Sequence, residues 1–206
     1  MSERRQGEWM ETWSGVRFYP LDPRPEEVNI EDIANALSKM CRFGGHSRQF
    51  YSVAEHSLWV SYRVPPWLAL AGLLHDAHEA YVGDMIRPVK NSIRIAMGSL
   101  WDTIEADLQR AITTQLGGAI ENDDDARIIK NVDNKALATE RRDLRVPTEN
   151  VWVTDGLEEP MVIMPRGDAG AVAQHFIDRY KTLLGRVVPG KDLATDIFTF
   201  GVPTPT

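Results

Sequence analysis

An apolar run that turns ionisable without an intervening loop constrains this chain more than any other feature. Trp67-Leu68-Ala69-Leu70-Ala71-Gly72-Leu73-Leu74 is followed directly by His75, Asp76, His78 and Glu79. The run is hydrophobic on every side, so it reads as a buried helix. Ionisable groups at the end of such a helix are costly unless something satisfies them. At about 100° per residue, His75, Glu79 and Asp76 fall near 0°, 40° and 100° around the axis and share one face. An imidazole beside a carboxylate can bind a divalent cation, and Glu79 adds a spare carboxylate one turn on. The competing reading is ordinary: helix ends carry such residues as caps and surface groups, and a His-Asp pair alone does not separate the two.

The remainder of the chain is dominated by helical signals. Asn29 is a natural N-cap with Glu31 and Asp32 in the first turn, and Ile30, Ile33, Ala34, Leu37 and Met40 mark a helix to about Cys41. Ser52 and Glu55 have capping-box spacing, so a second helix starts near Val53 and puts His56 in its first turn. Pro65 and Pro66 stop that helix, and Pro66 suits the start of the third, which is expected to run to about Gly83. The segment after Asp84 is expected to be irregular or short-helical, broken by Pro88. Leu100, Ile104, Leu108 and Ile112 mark a fourth helix ending at Gly117-Gly118. A fifth starts at Asp123 to Asp125 and carries Ile129, Val132, Ala136 and Leu137 on its apolar face, with Asp133 among them. Val151 to Val153 and Met161 to Met164 read as a small hairpin around a turn-rich DGLEEP. Asp168 caps a last helix with Val172, Phe176, Tyr180 and Leu183 or Leu184 facing inward. The fold class expected is therefore mainly α, a bundle of five or six principal helices with a small accessory β-hairpin. One domain, residues 14–185, is expected, with 1–13 and 186–206 as terminal extensions.

Charge and cysteine usage narrow the function classes. The net charge of −7 argues against nucleic acid as a partner, because such a footprint is normally basic. It leaves room for an anionic small molecule held by a few arginines beside a metal. One cysteine, Cys41, excludes an internal disulfide and suits a reducing compartment. No apolar run reaches the length of a membrane span, and the first residues lack the apolar segment of a secretory signal. A cytoplasmic protein with no membrane partner is expected.

Four ligand-type residues sit on helices where core residues belong: His56, His75, Asp76 and Asp133. Two imidazoles and two carboxylates suit one divalent ion (Mn, Co, Fe, Zn or Mg) and leave positions open for water and substrate. Here the sequence resembles a family. The order His, then His-Asp, then a later Asp is similar to the signature of the HD-domain metal-dependent phosphohydrolases, over roughly Ser14 to Leu184. HDAHEAYVGDMIRPVK resembles the HDxxExxxGDxxxPVK segment of the 5′-deoxynucleotidase branch. RFGGHSRQFYSVAEHS is similar to the stretch before the first ligand in small bacterial and phage members. VDNKALATERRDL resembles the helix carrying the final aspartate.

The resemblance implies His56, His75, Asp76 and Asp133 as metal ligands and Glu79 and Asp84 as catalytic carboxylates. It puts Arg42 at the family's phosphate-contacting arginine, before an aromatic that lines the sugar pocket, here Phe43 in place of a tryptophan. His46, Arg48 and Lys90 are further candidates for the phosphate; each can equally anchor a loop or cover surface. His78 is expected to face a groove wall or neighbouring helix. Glu140 is read as pairing with a nearby cation, Arg141-Arg142 as a solvated face, and Trp152 as hairpin packing. The function implied is hydrolysis of a nucleotide phosphate, a deoxynucleoside 5′-monophosphate first and a triphosphate cleaved to release triphosphate second. A di-iron oxygenase would need more histidines than the five present. A non-catalytic metal-stabilised interaction module would not need Glu79 and Asp84 beside the ligands. The lack of a GK[ST] phosphate loop excludes a P-loop enzyme. A homo-oligomer is expected.

Overall fold

The computed structural model describes residues 5–185; the expected extension 186–206 and residues 1–4 lie outside the described residues. The architecture is mainly helical with a small two-stranded hairpin. The hairpin comes first: β1 (Met10–Glu11) pairs antiparallel with β2 (Arg17–Phe18), Met10 opposite Phe18 and Glu11 opposite Arg17. Then follow α1 (Ile30–Lys39), α2 (Val53–Arg63), α3 (Ala69–Leu74), α4 (Glu79–Val82), α5 (Arg87–Met97), α6 (Leu100–Leu116), α7 (Asp123–Leu144) and α8 (Ala169–Leu183). Among the described residues no helix is long and apolar enough to cross a membrane.

Local chemistry accounts for most of these boundaries. Asn29 accepts the Glu31 amide to start α1, and Asp168 accepts those of Gly170 and Ala171 to start α8. Ser52 and Glu55 close a full capping box on α2. Asn122 accepts from Asp125, and three aspartates fill the first turn of α7, where the helix dipole favours them.

α2 is the axis of the bundle. Every residue from Val53 to Ser61 is buried, because α1 and α8 pack on one side and α3 and α7 on the other. Two apolar cores share it. The larger joins α1, α6 and α8 through Ile33, Leu37, Leu58, Leu108, Ile112 and Phe176; the smaller joins α3 and α7 through Trp59, Val60, Ile129 and Ala136. Gly72 is what lets α3 lie this close to α2: a Cβ there would meet Val64 Cγ2 at 2.9 Å.

Four expectations are corrected. The hairpin is not at 151–164. Residues 153–156 form turns, and the second segment bonds to α7 instead of to itself: Thr139 Oγ1 accepts from the Glu159 amide, Asp143 from the Ile163 amide, and Arg142 donates to the carbonyls of Glu159 and Met161. Arg141 and Arg142 thus anchor this loop, with Arg142 still exposed on the helix face. Residues 5–13 are also more than an extension. Arg5 donates to Asp22 and Glu27, β1 brings Met10 against the core, and its partner β2 stacks Phe18 on Tyr81 at 3.8 Å between ring centroids.

The third helix does not run on to Gly83; α3 ends at Leu74. Bonds from Ala77 to Leu74, Glu79 to Asp76 and Tyr81 to His78 then wind the chain as three-residue turns before α4 closes at Gly83. Lastly, Pro88 begins α5 rather than breaking it, because the first turn of a helix needs no amide hydrogen from the ring nitrogen.

Candidate metal centre

Two elements deliver the first ligand-type atoms to one point. α2 carries His56, fully buried, and the tight turn after α3 carries His75 and Asp76. His56 Nε2 lies 3.3 Å from His75 Nε2 and 3.6 Å from Asp76 Oδ2, and His75 Nε2 lies 3.1 Å from Asp76 Oδ2. His56, His75 and Asp76 form a group that can hold a metal ion. Ligands about 2.1 Å from a common cation are separated by roughly 3.0–3.4 Å, so the spacing fits.

The orientation of the rings fits as well. His56 Nδ1 is 2.6 Å from Glu140 Oε1, and His75 Nδ1 is 2.9 Å from the Gly72 carbonyl oxygen. Each imidazole therefore donates its Nδ1 hydrogen outward and turns Nε2 to the shared point, the arrangement in which a histidine binds metal. Two neutral Nε2 lone pairs at 3.3 Å repel each other, so a cation or a proton between them relieves the site.

α7 closes the site from the far side. Asp133 and Glu140 are seven residues apart, two turns, and lie on one stripe with the small, buried Ala136 between them. Asp133 Oδ1 is 3.2 Å from His56 Nε2 while Glu140 takes Nδ1, so the two carboxylates grip both nitrogens of one ring. Asp133 Oδ2 also meets Lys130 Nζ at 2.6 Å.

Arg42, on the 3-10 turn after α1, completes the wall. It is buried, with Nε 3.0 Å from Glu140 Oε2 and Nη1 3.9 Å from Asp76 Oδ2. A ladder holds this turn in place: Arg42 donates its amide to Tyr51, and Val53 donates to Met40.

The charges set one another. Burial and Arg42 oppose protonation of His56, but Glu140 and Asp133 outweigh them and push it up to about 9. Burial also opposes ionisation of Asp76, Asp133 and Glu140. Even so, His75 and His56 hold Asp76 low, His56 holds Asp133 low, and Arg42 with His56 holds Glu140 low. Glu79 behaves oppositely. Burial, then Asp76 and Asp84, hold its carboxyl well above the usual range, and Oε2 is buried without a hydrogen-bond partner. Burial raises Asp84 too, with Arg42 pulling the other way.

The outer candidates divide. Phe43 follows Arg42 in a left-handed conformation (φ 59°) that a bulky side chain seldom adopts. Lys90 Nζ is 2.7 Å from Glu105, and Glu105 also faces His78 Nε2 at 3.6 Å, so His78 looks toward α6 as expected. His46 and Arg48 are exposed and make no hydrogen bond or ion pair with the cluster. Arg48 is bonded through its side chain to the Asp143 carbonyl and through its amide to that of Leu144. The residue that sequence reasoning undervalued is Glu140. It does pair with a cation, Arg42, but it also orients His56; its signal was the seven-residue spacing from Asp133 along an apolar stripe.

No family model matches the chain. It is 33% identical over 178 residues to the uncharacterized protein YfdR of Escherichia coli (strain K12), covering 85% of this chain and 95% of that protein. It is 43% identical over 107 residues to the uncharacterized protein RCAP_rcc00048 of Rhodobacter capsulatus, covering 48% of this chain and 55% of the relative.

Proposed function

We propose that this chain, which belongs to the family of the Escherichia coli protein YfdR, is a metal-dependent phosphohydrolase acting on a deoxynucleoside 5′-monophosphate. The observation that carries the reading is the convergence of His56 Nε2, His75 Nε2 and Asp76 Oδ2 within 3.1–3.6 Å, next to a buried carboxyl, Glu79, that no ligand set requires. A closed structural site has no use for such a group.

Asp133 is proposed as the fourth ligand, since its Oδ1 lies 3.2 Å from His56 Nε2. The ion is a divalent one of the Mn, Co, Fe, Zn or Mg group, all compatible with mixed nitrogen and carboxylate donors. Such an ion supplies a water of lowered pKa and positive charge against the phosphoryl oxygens. Glu79 would orient the attacking water and take its proton as the new P–O bond forms, and Glu79 or Asp84 would deliver a proton to the leaving oxygen as the old P–O bond breaks. Burial keeps both carboxyls more basic than usual, the direction that favours holding a proton for delivery. Arg42, held charged beside Glu140, Asp84 and Asp76, neutralises charge on the transferring group. The net charge of −7 favours a small nucleotide over a polymer as the partner.

The test is a panel of deoxy- and ribonucleoside mono-, di- and triphosphates with Mn, Co and Mg, reading phosphate, pyrophosphate and triphosphate. Release of phosphate from deoxynucleoside monophosphates is expected. Release of triphosphate alone would move the substrate to triphosphates, and no turnover with any metal would remove the hydrolase reading.

A further inference from the structure

Beyond Arg42 the wall of the site continues into an aromatic and cationic surface. Arg42 Cζ lies 5.6 Å from the Phe43 ring centroid, and Arg145 Cζ lies 5.2 Å from the same centroid. Arg145 is also 5.3 Å from the Trp152 ring, and the Phe43 and Trp152 rings meet edge to face at 6.5 Å. One ring thus joins the arginine beside Asp76 to a second arginine at the end of α7.

Arg145 stands out among the arginines around α7. Arg141 is bonded to Asp155 and Asn150, and Arg142 to Asp143, Glu159 and Met161. Among the described residues the Arg145 guanidinium has no hydrogen bond or ion pair, only its two aromatic contacts. A half-buried guanidinium that two rings hold in place, with its donors facing solvent and not a protein acceptor, can meet an acceptor from outside. The left-handed backbone at Phe43 points the same way, because a strained aromatic persists where the surrounding structure holds it for a purpose.

We propose that Phe43, Trp152 and Arg145 form the subsite for the nucleobase, with Arg145 donating to an edge that presents two adjacent acceptors, so that guanine is taken over adenine. The inference rests on the nucleotide reading of the metal centre. The rings decide for a base over a second phosphate: aromatic faces are electron-rich and repel a dianion, whereas a planar base stacks on them and on a guanidinium plane. Guanine offers O6 and N7 to a guanidinium fork; adenine has a donor in place of O6.

The experiment measures binding of dGMP, dAMP and deoxyribose 5-phosphate by calorimetry to Mn-loaded protein in a Glu79→Ala background, so that nothing is consumed. The same titrations are made with Arg145→Ala and Arg145→Lys added. The unaltered subsite should prefer dGMP over dAMP by roughly tenfold or more. Arg145→Ala should bring that ratio to near one, Arg145→Lys should restore part of it, and metal and sugar-phosphate affinity should stay put. A ratio untouched by Arg145→Ala overturns the proposal, as does a lowered melting temperature alone, which would make Arg145 a helix-end cation. Tighter binding of dGTP than dGMP that vanishes in Arg145→Ala would make it a phosphate site and overturn it too. Base-selective binding by a wild type that hydrolyses nothing would sink the hydrolase reading alone. Hydrolysis without base selectivity would sink the base subsite alone.

Discussion

Replacing Glu140 by glutamine tests how far a residue outside the proposed ligand set governs the candidate metal centre. Glu140 is fully buried and its two oxygens are divided between His56 Nδ1 at 2.6 Å and Arg42 Nε at 3.0 Å. Glutamine keeps the volume and one acceptor but removes the charge and puts an NH2 against one of two donors. Loss of such an outer partner of a metal-binding histidine typically weakens metal binding by about 10–100-fold, which is about 1.4–2.8 kcal/mol. Glu140→Ala goes further: breaking a buried ion pair from one side costs about 3–5 kcal/mol. For a chain of 206 residues each kcal/mol is worth about 2–4 °C, so a fall of roughly 6–20 °C in Tm is expected. The assay is calorimetric titration of Mn or Co into chelator-treated protein, with melts of both variants with and without metal. The pH dependence adds an independent signature, because without the Glu140 charge the His56 pKa should fall from about 9 toward its ordinary range. A folded Glu140→Gln protein that binds metal within twofold of the wild type would refute the reasoning and reduce Glu140 to a counter-ion for Arg42.

Asp133→Ala and His75→Ala should each lower metal content and activity together, and unchanged metal by elemental analysis in both would end the four-ligand assignment. Glu79→Ala should keep its metal and lose turnover by about 10² or more; loss of metal instead would make Glu79 a ligand. In metal-free protein the raised His56 pKa contributes stability that is fully present below about 6.5 and is lost as pH rises through about 9, at about 1.4 kcal/mol for each pH unit between those limits. Urea melts across that window should show the decline, and a flat profile would contradict the ion-pair network. Gly72→Ala should cost about 1–3 kcal/mol by overpacking α3 against Val64, read from the denaturation midpoint, and an unchanged midpoint would mean that α3 shifts at no cost.

The features legible along the chain are those made by neighbours in sequence. The Ser52–Glu55 box, the Asn29 and Asp168 caps, the stop of α6 and the start of α7 each involve groups a few residues apart, so spacing alone marks them. His56, His75, Asp76 and Asp133 were visible for a related reason: ionisable groups in apolar helical patterns need a cause. Where local signals compete, the outcome was less visible. Pro88 is compatible with breaking a helix or starting one, and only the packing of α5 along α6 decides it. Val151 to Met164 has the residues of a hairpin, yet Thr139, Arg142 and Asp143 of α7 provide better partners for its backbone than it can provide for itself. Glu140 is the extreme case, since its partners lie 84 and 98 residues away. The sequence by itself determined the helices, their caps and an inventory of ligand-type side chains, because those depend on hydrogen bonds and periodicity within a few turns. The tertiary structure alone decided that α7 presents Asp133 and Glu140 to the two nitrogens of His56 and sets Arg145 against two rings, because the packing of α7 on α2 fixes which distant charges can satisfy one another.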